Sequence, residues 1–125
     1  MKLKPIYILY LLCVLIIGSC SEDHNHAEKG TVMQIVKIKT NLSEAEFIAA
    51  AKKREPQFEA IPGIVQKYYL KLGGSGEYGG VYIWDSEASI KAFKETTLAK
   101  TIGEAYGVIE PPSVEIVEIL FQLRD

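Results

Sequence analysis

The amino-acid sequence predicts an α+β fold in which a four-stranded antiparallel sheet carries helices on one face. Residues 31–40 are rich in β-branched side chains, which indicates a first strand. Residues 64–72 alternate as a second strand, and the glycine-rich segment 73–76 allows a hairpin into a third. Helix-start signals follow the first and third strands. The order of elements is therefore β-α-β-β-α-β, the arrangement of the ferredoxin-like fold.

The first helix has a clear start and a predicted early end. Ser43 and Glu46, three residues apart, form a capping box in front of apolar residues at helical spacing. Pro56 is expected to kink or end this helix near Glu55, because proline lacks the N–H that the helix needs. Phe58 would then lie in a separate short turn.

The second half of the chain repeats the pattern. The third strand is predicted at 78–85, and Ser86 follows it as the cap of the second helix. A further helical segment is predicted at 101–106, before two prolines set up a last strand over 114–123.

The predicted strands carry apolar side chains on both faces of the sheet. Alternation assigns Ile64 and Tyr68 to one face of the second strand and Lys67 and Tyr69 to the other. The first and last strands also have apolar residues on both sides. A second apolar face needs a cover, and another copy of the chain is the most economical one. We therefore predict a homodimer.

The N-terminal residues predict a lipid-anchored protein. The apolar run 6–17 follows Lys2 and Lys4 and is shorter than the roughly 20 residues that span a bilayer. It ends in Ile-Gly-Ser-Cys, which resembles the lipobox of bacterial lipoproteins with Cys20 as the lipid attachment residue. The alternative is an ordinary secretory leader in which Cys20 stands by chance.

This interpretation divides the chain into three parts. Residues 1–19 are predicted as a lipoprotein signal peptide, 20–30 as a flexible tether and 31–125 as the folded domain. The expected location is the bacterial cell envelope, with the protein anchored to a membrane by lipid, in the outer membrane where the cell has one. His24 and His26 lie in the tether, where a solvated spacer is favoured over metal capture.

Composition excludes several kinds of function. The mature chain carries 12 basic against 16 acidic residues, so nucleic acid is an unlikely partner. The predicted domain contains neither cysteine nor histidine, which excludes Cys-His pairs, Ser-His-Asp triads and histidine-based metal sites there. No metal site and no cofactor are predicted.

Aromatic residues are what remains for a binding site. Tyr68, Tyr82, Trp84 and Tyr106 are the candidate substrate-pocket residues. Alternation places Tyr82 and Trp84 on one face of the third strand but leaves open which face that is. The same residues could instead belong to the core or to an interface.

Two segments resemble a known family. Residues 61–69 (IPGIVQKYY) and 79–88 (GGVYIWDSEA) are similar to the YdhR-like monooxygenase family, and the likeness extends over most of 31–125. This family belongs to the dimeric α/β-barrel superfamily, so the resemblance implies two ferredoxin-like subunits that join their sheets into a barrel. It also implies a cofactor-independent monooxygenase acting on aromatic or phenolic molecules. Haem-degrading members ligate haem through a helical histidine, and this chain has none after His26.

Such a reaction assigns roles to the aromatic residues but not to a base. A tyrosine among Tyr68, Tyr82 and Tyr106 would contact the substrate oxyanion, and Trp84 would form a stacking wall. Asp85 and Glu118 are the positional candidates for the base, although a helix-start role and a sheet-edge position are the favoured interpretations. The catalytic residues therefore stay unassigned. The alternative function is a non-catalytic dimeric lipoprotein that binds a small hydrophobic ligand or has a structural role.

Overall fold

The structure, a computed structural model, describes residues 29–124 and contains one antiparallel sheet with helices on one face. The strand order is β2-β3-β1-β4, so the predicted ferredoxin-like fold is confirmed. The predicted signal peptide, Cys20 and most of the predicted tether lie outside the described residues. Within the described part, no helix has the length and apolar character that crossing a membrane requires. The elements are β1 (Val32–Lys39), α1 (Glu44–Glu59), β2 (Ile64–Lys71), β3 (Glu77–Trp84), α2 (Glu87–Lys94), α3 (Thr97–Lys100), α4 (Ile102–Ala105) and β4 (Ser113–Glu118).

Helix α1 begins as predicted but ends later. The Ser43 backbone N–H donates to Glu46 Oε2 at 2.8 Å and the Ser43 hydroxyl accepts from the Glu46 N–H at 3.3 Å, which completes the capping box. The expected break near Glu55 is wrong, because the helix continues through Pro56. Proline removes one backbone hydrogen bond here, whereas the continued helix buries Phe58, which is 3% exposed.

The β2-β3 hairpin contains a β-bulge that the sequence did not indicate. Gly76 has a φ of 70° in the connecting turn, as a glycine there allows. The register shifts between Ile64, which lies opposite Trp84, and Gln66, which lies opposite Ile83. Because of this shift Ile64 packs on the helix side of the sheet, so the prediction that it shares a face with Tyr68 is wrong.

The sheet has an apolar core on its helix face. Ser86 caps α2 by accepting from the Ser89 N–H, and Ile90 and Phe93 of that helix are buried. The buried residues fall into two neighbouring clusters. One consists of Val32, Phe58, Tyr82, Trp84, Ile90 and Phe93, and the other of Ile38, Phe47, Ala51, Tyr78 and Tyr106.

The opposite face, here called the outer face, is also apolar. Cross-strand pairs place Met33 beside Val117, and Ile35 beside Val81. These side chains are half-buried although no described element covers them. The two-sided apolar character predicted from the sequence is therefore present.

Strand β4 is shorter than predicted. It ends at Glu118 instead of Leu123, and it pairs with β1 alone among the described strands. Leu120 and Phe121 beyond it are 86% and 80% exposed, so the last described residues have no packing partner in the described chain.

Candidate functional site

A cleft lies between the C-terminal half of α1 and the first part of β2. Its volume is about 450 Å³, within the usual range for small-molecule sites. The side chains around it combine two aromatic rings, charged groups and short apolar groups. They are Lys52, Glu55, Phe58 and Glu59 from α1, and Ile64, Val65, Gln66, Lys67 and Tyr69 from β2.

A second space, here called the inner cavity, adjoins the cleft on the helix face of the sheet. It has a volume of about 30 Å³, which is enough for a water-sized molecule. Lys67 and Tyr69 line both spaces and stand between them. The remaining lining residues are Val36, Ile38, Phe47, Gly79, Gly80, Tyr82, Ile102 and Tyr106.

The Lys67 amine lies among three aromatic rings. Its Nζ is 3.3 Å from the centre of the Phe58 ring, 4.3 Å from that of Tyr69 and 4.5 Å from that of Tyr82. Burial, and after it the positive charge of Arg54, lower the pKa of Lys67 to about 7. This lysine is therefore able to give up or accept a proton near neutral pH.

The tyrosines of the site are held in their neutral form. Burial raises the pKa of Tyr69 to about 12, and it also raises the pKa of Tyr82 and of Tyr106. The Tyr106 hydroxyl is buried and has no hydrogen-bond partner within the described chain. These phenols can donate a hydrogen bond to a ligand, but they are poor bases.

Arg54 forms hydrogen bonds that connect the helices next to the inner cavity. Its guanidinium donates to the Leu98 carbonyl oxygen at 2.6 Å, and to the carbonyl and hydroxyl oxygens of Thr101 at 3.2 and 3.1 Å. These bonds join α1 to α3 and to the start of α4. Arg54 thereby holds the segment that carries Ile102 and Tyr106 against the sheet.

The structure brings together two of the four predicted pocket residues. Tyr82 and Tyr106 line the inner cavity. Trp84 is fully buried on the helix face, where its Nε1–H donates to Gln34 Oε1 at 3.1 Å, and it lines neither the cleft nor the inner cavity. Tyr68 is 54% exposed and lies on the outer face, because it pairs with Val81 rather than with Gly80.

The site residues predicted from the sequence did not include Lys67, Tyr69 or Arg54. A signal for the first two was present, since alternation placed Lys67 and Tyr69 on the face opposite Tyr68. A lysine on the core side of a sheet is a marked departure from ordinary patterning. Nothing local in the sequence singles out Arg54, whose partners lie more than 40 residues away.

The two positional candidates for a base lie elsewhere. Asp85 Oδ1 accepts hydrogen bonds from the hydroxyls of Ser86 and Ser89 at the start of α2, a structural role. Glu118 is exposed at the end of β4. Over residues 29–124, no group of three or more His, Cys, Asp or Glu side chains is arranged to hold a metal ion.

Comparison with solved structures identifies several oxygenases that share the fold of this chain. No sequence-family model and no curated protein sequence matches the chain. A proposed antibiotic biosynthesis monooxygenase from Caulobacter crescentus is 17% identical, with 75% of this chain and 93% of that chain covered and a TM-score of 0.63. SnoaB, a cofactor-independent oxygenase from Streptomyces nogalater, is 13% identical, with 78% and 100% covered and a TM-score of 0.63.

A third structure contains a bound ligand. It is a monooxygenase from the gene ActVA-Orf6 of Streptomyces coelicolor in complex with nanaomycin D, which is 13% identical, with 77% and 93% of the chains covered and a TM-score of 0.60. This chain has the fold of these oxygenases. At such low identity the likeness establishes the fold, and function has to be argued from the site.

Proposed function

We propose that this protein binds a small phenolic molecule in the cleft and oxygenates it with dioxygen, without a bound cofactor. The observation that carries the proposal is the junction of the cleft and the inner cavity, where Lys67 and Tyr69 meet the neutral tyrosines Tyr82 and Tyr106. Two solved structures of the same fold support it, since SnoaB is a cofactor-independent oxygenase and the ActVA-Orf6 protein is a monooxygenase.

The residues of the junction suit a flat, polar-edged ligand. Tyr69, which is 37% exposed, offers an aromatic surface for a ring in the cleft. Tyr82 and Tyr106 line the adjoining inner cavity, and their raised pKa values keep their hydroxyl protons available for hydrogen bonds. Donors that are fixed before the reaction stabilise negative charge on a substrate oxygen without reorganising.

The reaction balances with a phenol and dioxygen as the only reactants. A carbon–oxygen bond forms between a ring carbon of the ionised phenol and dioxygen. The oxygen–oxygen bond then breaks, one oxygen atom stays on the ring as a carbonyl and the other leaves as water. The ring loses four electrons and becomes a quinone, and dioxygen gains the same four.

The direct test is oxygen consumption by the purified mature protein with a panel of naphthols and hydroxyquinones. Uptake of dioxygen together with quinone formation would support the proposal. Tight binding without uptake would point to the alternative of a ligand-binding lipoprotein. The absence of both binding and uptake across the panel would refute the proposed function.

The proposed active form is a homodimer. The outer face carries apolar side chains from all four strands, and a second copy packed against it would remove them from water. Two sheets joined in this way would form the barrel that the sequence resemblance implies. The mass of the mature domain in dilute solution tests this, and a stable monomer would refute it.

The proposed location is a membrane surface in the cell envelope. Its support is the lipobox-like sequence that ends at Cys20. Mass spectrometry of the membrane fraction tests it, because lipidation adds acyl chains to a mature chain that begins at Cys20. A Cys20→Ala variant should lose the lipid and the membrane association.

A further inference from the structure

Lys67 differs from the other lysines near it. Lys71, four residues further along β2 on the same face, contacts Glu44 at 2.5 Å, and Lys52 contacts Glu55 at 2.8 Å. Among the described residues, no carboxylate lies within ion-pair distance of Lys67 Nζ. Its surroundings are the rings of Phe58, Tyr69 and Tyr82.

Several charged and titratable groups share the cleft or the inner cavity with this amine. Arg54 of α1 adds positive charge, and Glu59 lies at the edge of the cleft. The carboxylate of Glu55 is engaged by Lys52. The neutral phenols of Tyr69 and Tyr82 on the sheet, with that of Tyr106 after α4, complete the surroundings. Among residues 29–124 no carboxylate pairs directly with the ammonium form, so this position disfavours it until a negative ligand binds.

We infer that the Lys67 amine is the base that takes the phenolic proton of a substrate in the cleft, an inference that rests on the proposed function. The O–H bond of the phenol breaks and its electron pair stays on oxygen. An N–H bond forms, and Lys67 becomes an ammonium ion beside the phenolate. The proton returns to the departing oxygen when water is released, which restores the neutral amine.

The geometry supports both halves of this cycle. Before substrate binds, burial and the Arg54 charge favour the neutral amine. Afterwards the three aromatic rings attract the ammonium ion, and the phenolate becomes its counter-ion. The tyrosines are poor alternatives because burial keeps their protons on, and Asp85 and Glu118 lie outside the cleft.

A coloured phenol tests whether Lys67 holds a bound phenol as its phenolate. 4-Nitrophenol absorbs visible light as the phenolate, and about one unit below its own pKa only about a tenth of the free probe is ionised. At that pH the bound probe should be mostly phenolate on the wild-type protein, a several-fold rise in absorbance per bound molecule. Lys67→Met should abolish the rise. Lys71→Met, the matched control on the same strand face, should preserve it.

Two further measurements separate a base from a structural residue. Acylation of the mature protein over a range of pH, followed by mass spectrometry, should show that Lys67 reacts as a neutral amine near pH 7, whereas Lys71 requires a higher pH. In oxygenation, Lys67→Met should lower kcat about 100-fold at neutral pH. The kcat of this variant should then rise as the pH approaches the pKa of the substrate phenol.

The outcomes distinguish the two proposals. If the bound probe stays neutral, or if Lys67 is acylated only at the pH of Lys71, the base role is overturned while the oxygenase proposal survives. If the panel of phenols shows neither binding nor oxygen uptake, the proposed function fails and the base role fails with it. Oxygenation by Lys67→Met at the wild-type rate and with the wild-type pH profile also overturns the base role.

Discussion

Lys67 and Tyr82 lie directly opposite each other on β2 and β3, with the lysine amine 4.5 Å from the centre of the tyrosine ring. Cross-strand neighbours of this kind determine each other's surroundings, because their side chains leave the sheet on the same face. An amine whose pKa is lowered to about 7 therefore lies next to a phenol whose pKa is raised by burial.

The first prediction concerns stability and pH. The pKa of Lys67 is about 7 in the folded protein and near the ordinary 10.5 in the unfolded chain, so the unfolded state binds more protons between these values. The contribution of Lys67 to the free energy of unfolding therefore rises as pH increases from about 7 toward 10. Lys67→Met should remove this rise and be more stable than wild type at pH 7 by a few kcal/mol, because a tenfold change in proton affinity corresponds to about 1.4 kcal/mol.

Urea unfolding of both proteins across this pH range measures the effect. The difference between them should shrink as pH approaches 10. Lys71→Met should show no such trend, because its ion pair with Glu44 raises the pKa of Lys71 instead. If the difference in unfolding free energy between wild type and Lys67→Met does not change with pH, the assigned environment of Lys67 is contradicted.

The second prediction separates two adjacent tyrosines. Tyr69→Phe should reduce oxygenation of a phenol about tenfold, because a hydrogen-bond donor to the substrate oxygen is worth roughly 1.4 kcal/mol. Tyr68→Phe should leave the rate unchanged, because Tyr68 lies on the outer face. Steady-state oxygen uptake measures both. A larger effect at Tyr68 would favour the assignment made from sequence over the position in the fold.

The third prediction concerns the Tyr106 hydroxyl. A buried hydroxyl without a partner costs free energy, so Tyr106→Phe should stabilise the protein by about 1 kcal/mol. The same change should weaken phenol binding, since the ligand loses a donor. Urea unfolding and calorimetric titration give the two values. Destabilisation by this substitution would mean that the hydroxyl already has a partner in the folded protein.

The fourth prediction treats Trp84 as a core residue. Trp84→Phe should lower the free energy of unfolding by about 2 kcal/mol or more, because it leaves a smaller ring and an unpaired Gln34 amide in a buried place. Adding Gln34→Met should recover part of this loss. A double-mutant cycle measures the coupling, and additive effects would show that the hydrogen bond contributes nothing.

The fifth prediction concerns the proposed dimer. Val81→Glu puts a charge on the outer face of a central strand, beside Ile35, and should convert the dimer into a monomer. Ala49→Glu on the exposed side of α1 is the matched control and should leave the dimer intact. Light scattering after size-exclusion chromatography reports the mass. A dimer that persists in Val81→Glu would exclude the outer face as the interface.

The local features of the fold could be predicted from the sequence. They include the capping box at Ser43, the cap at Ser86 and the glycine turn. Each depends on residues three or four apart, so a short stretch of sequence is enough to predict it. The predicted helix end near Pro56 and the predicted face of Ile64 were wrong. In both cases burial against distant residues outweighed a local rule.

The sequence by itself determined the order of the elements, the two-sided apolar sheet and the absence of cysteine and histidine from the domain. The tertiary structure decided which aromatic residues share a site. It placed Trp84 in the core and Tyr68 on the outer face, and it brought Lys67 and Tyr69 beside Tyr82 and Tyr106. The physical reason is that alternation along a strand separates side chains into two sets, whereas pairing and helix packing decide which set meets the helices.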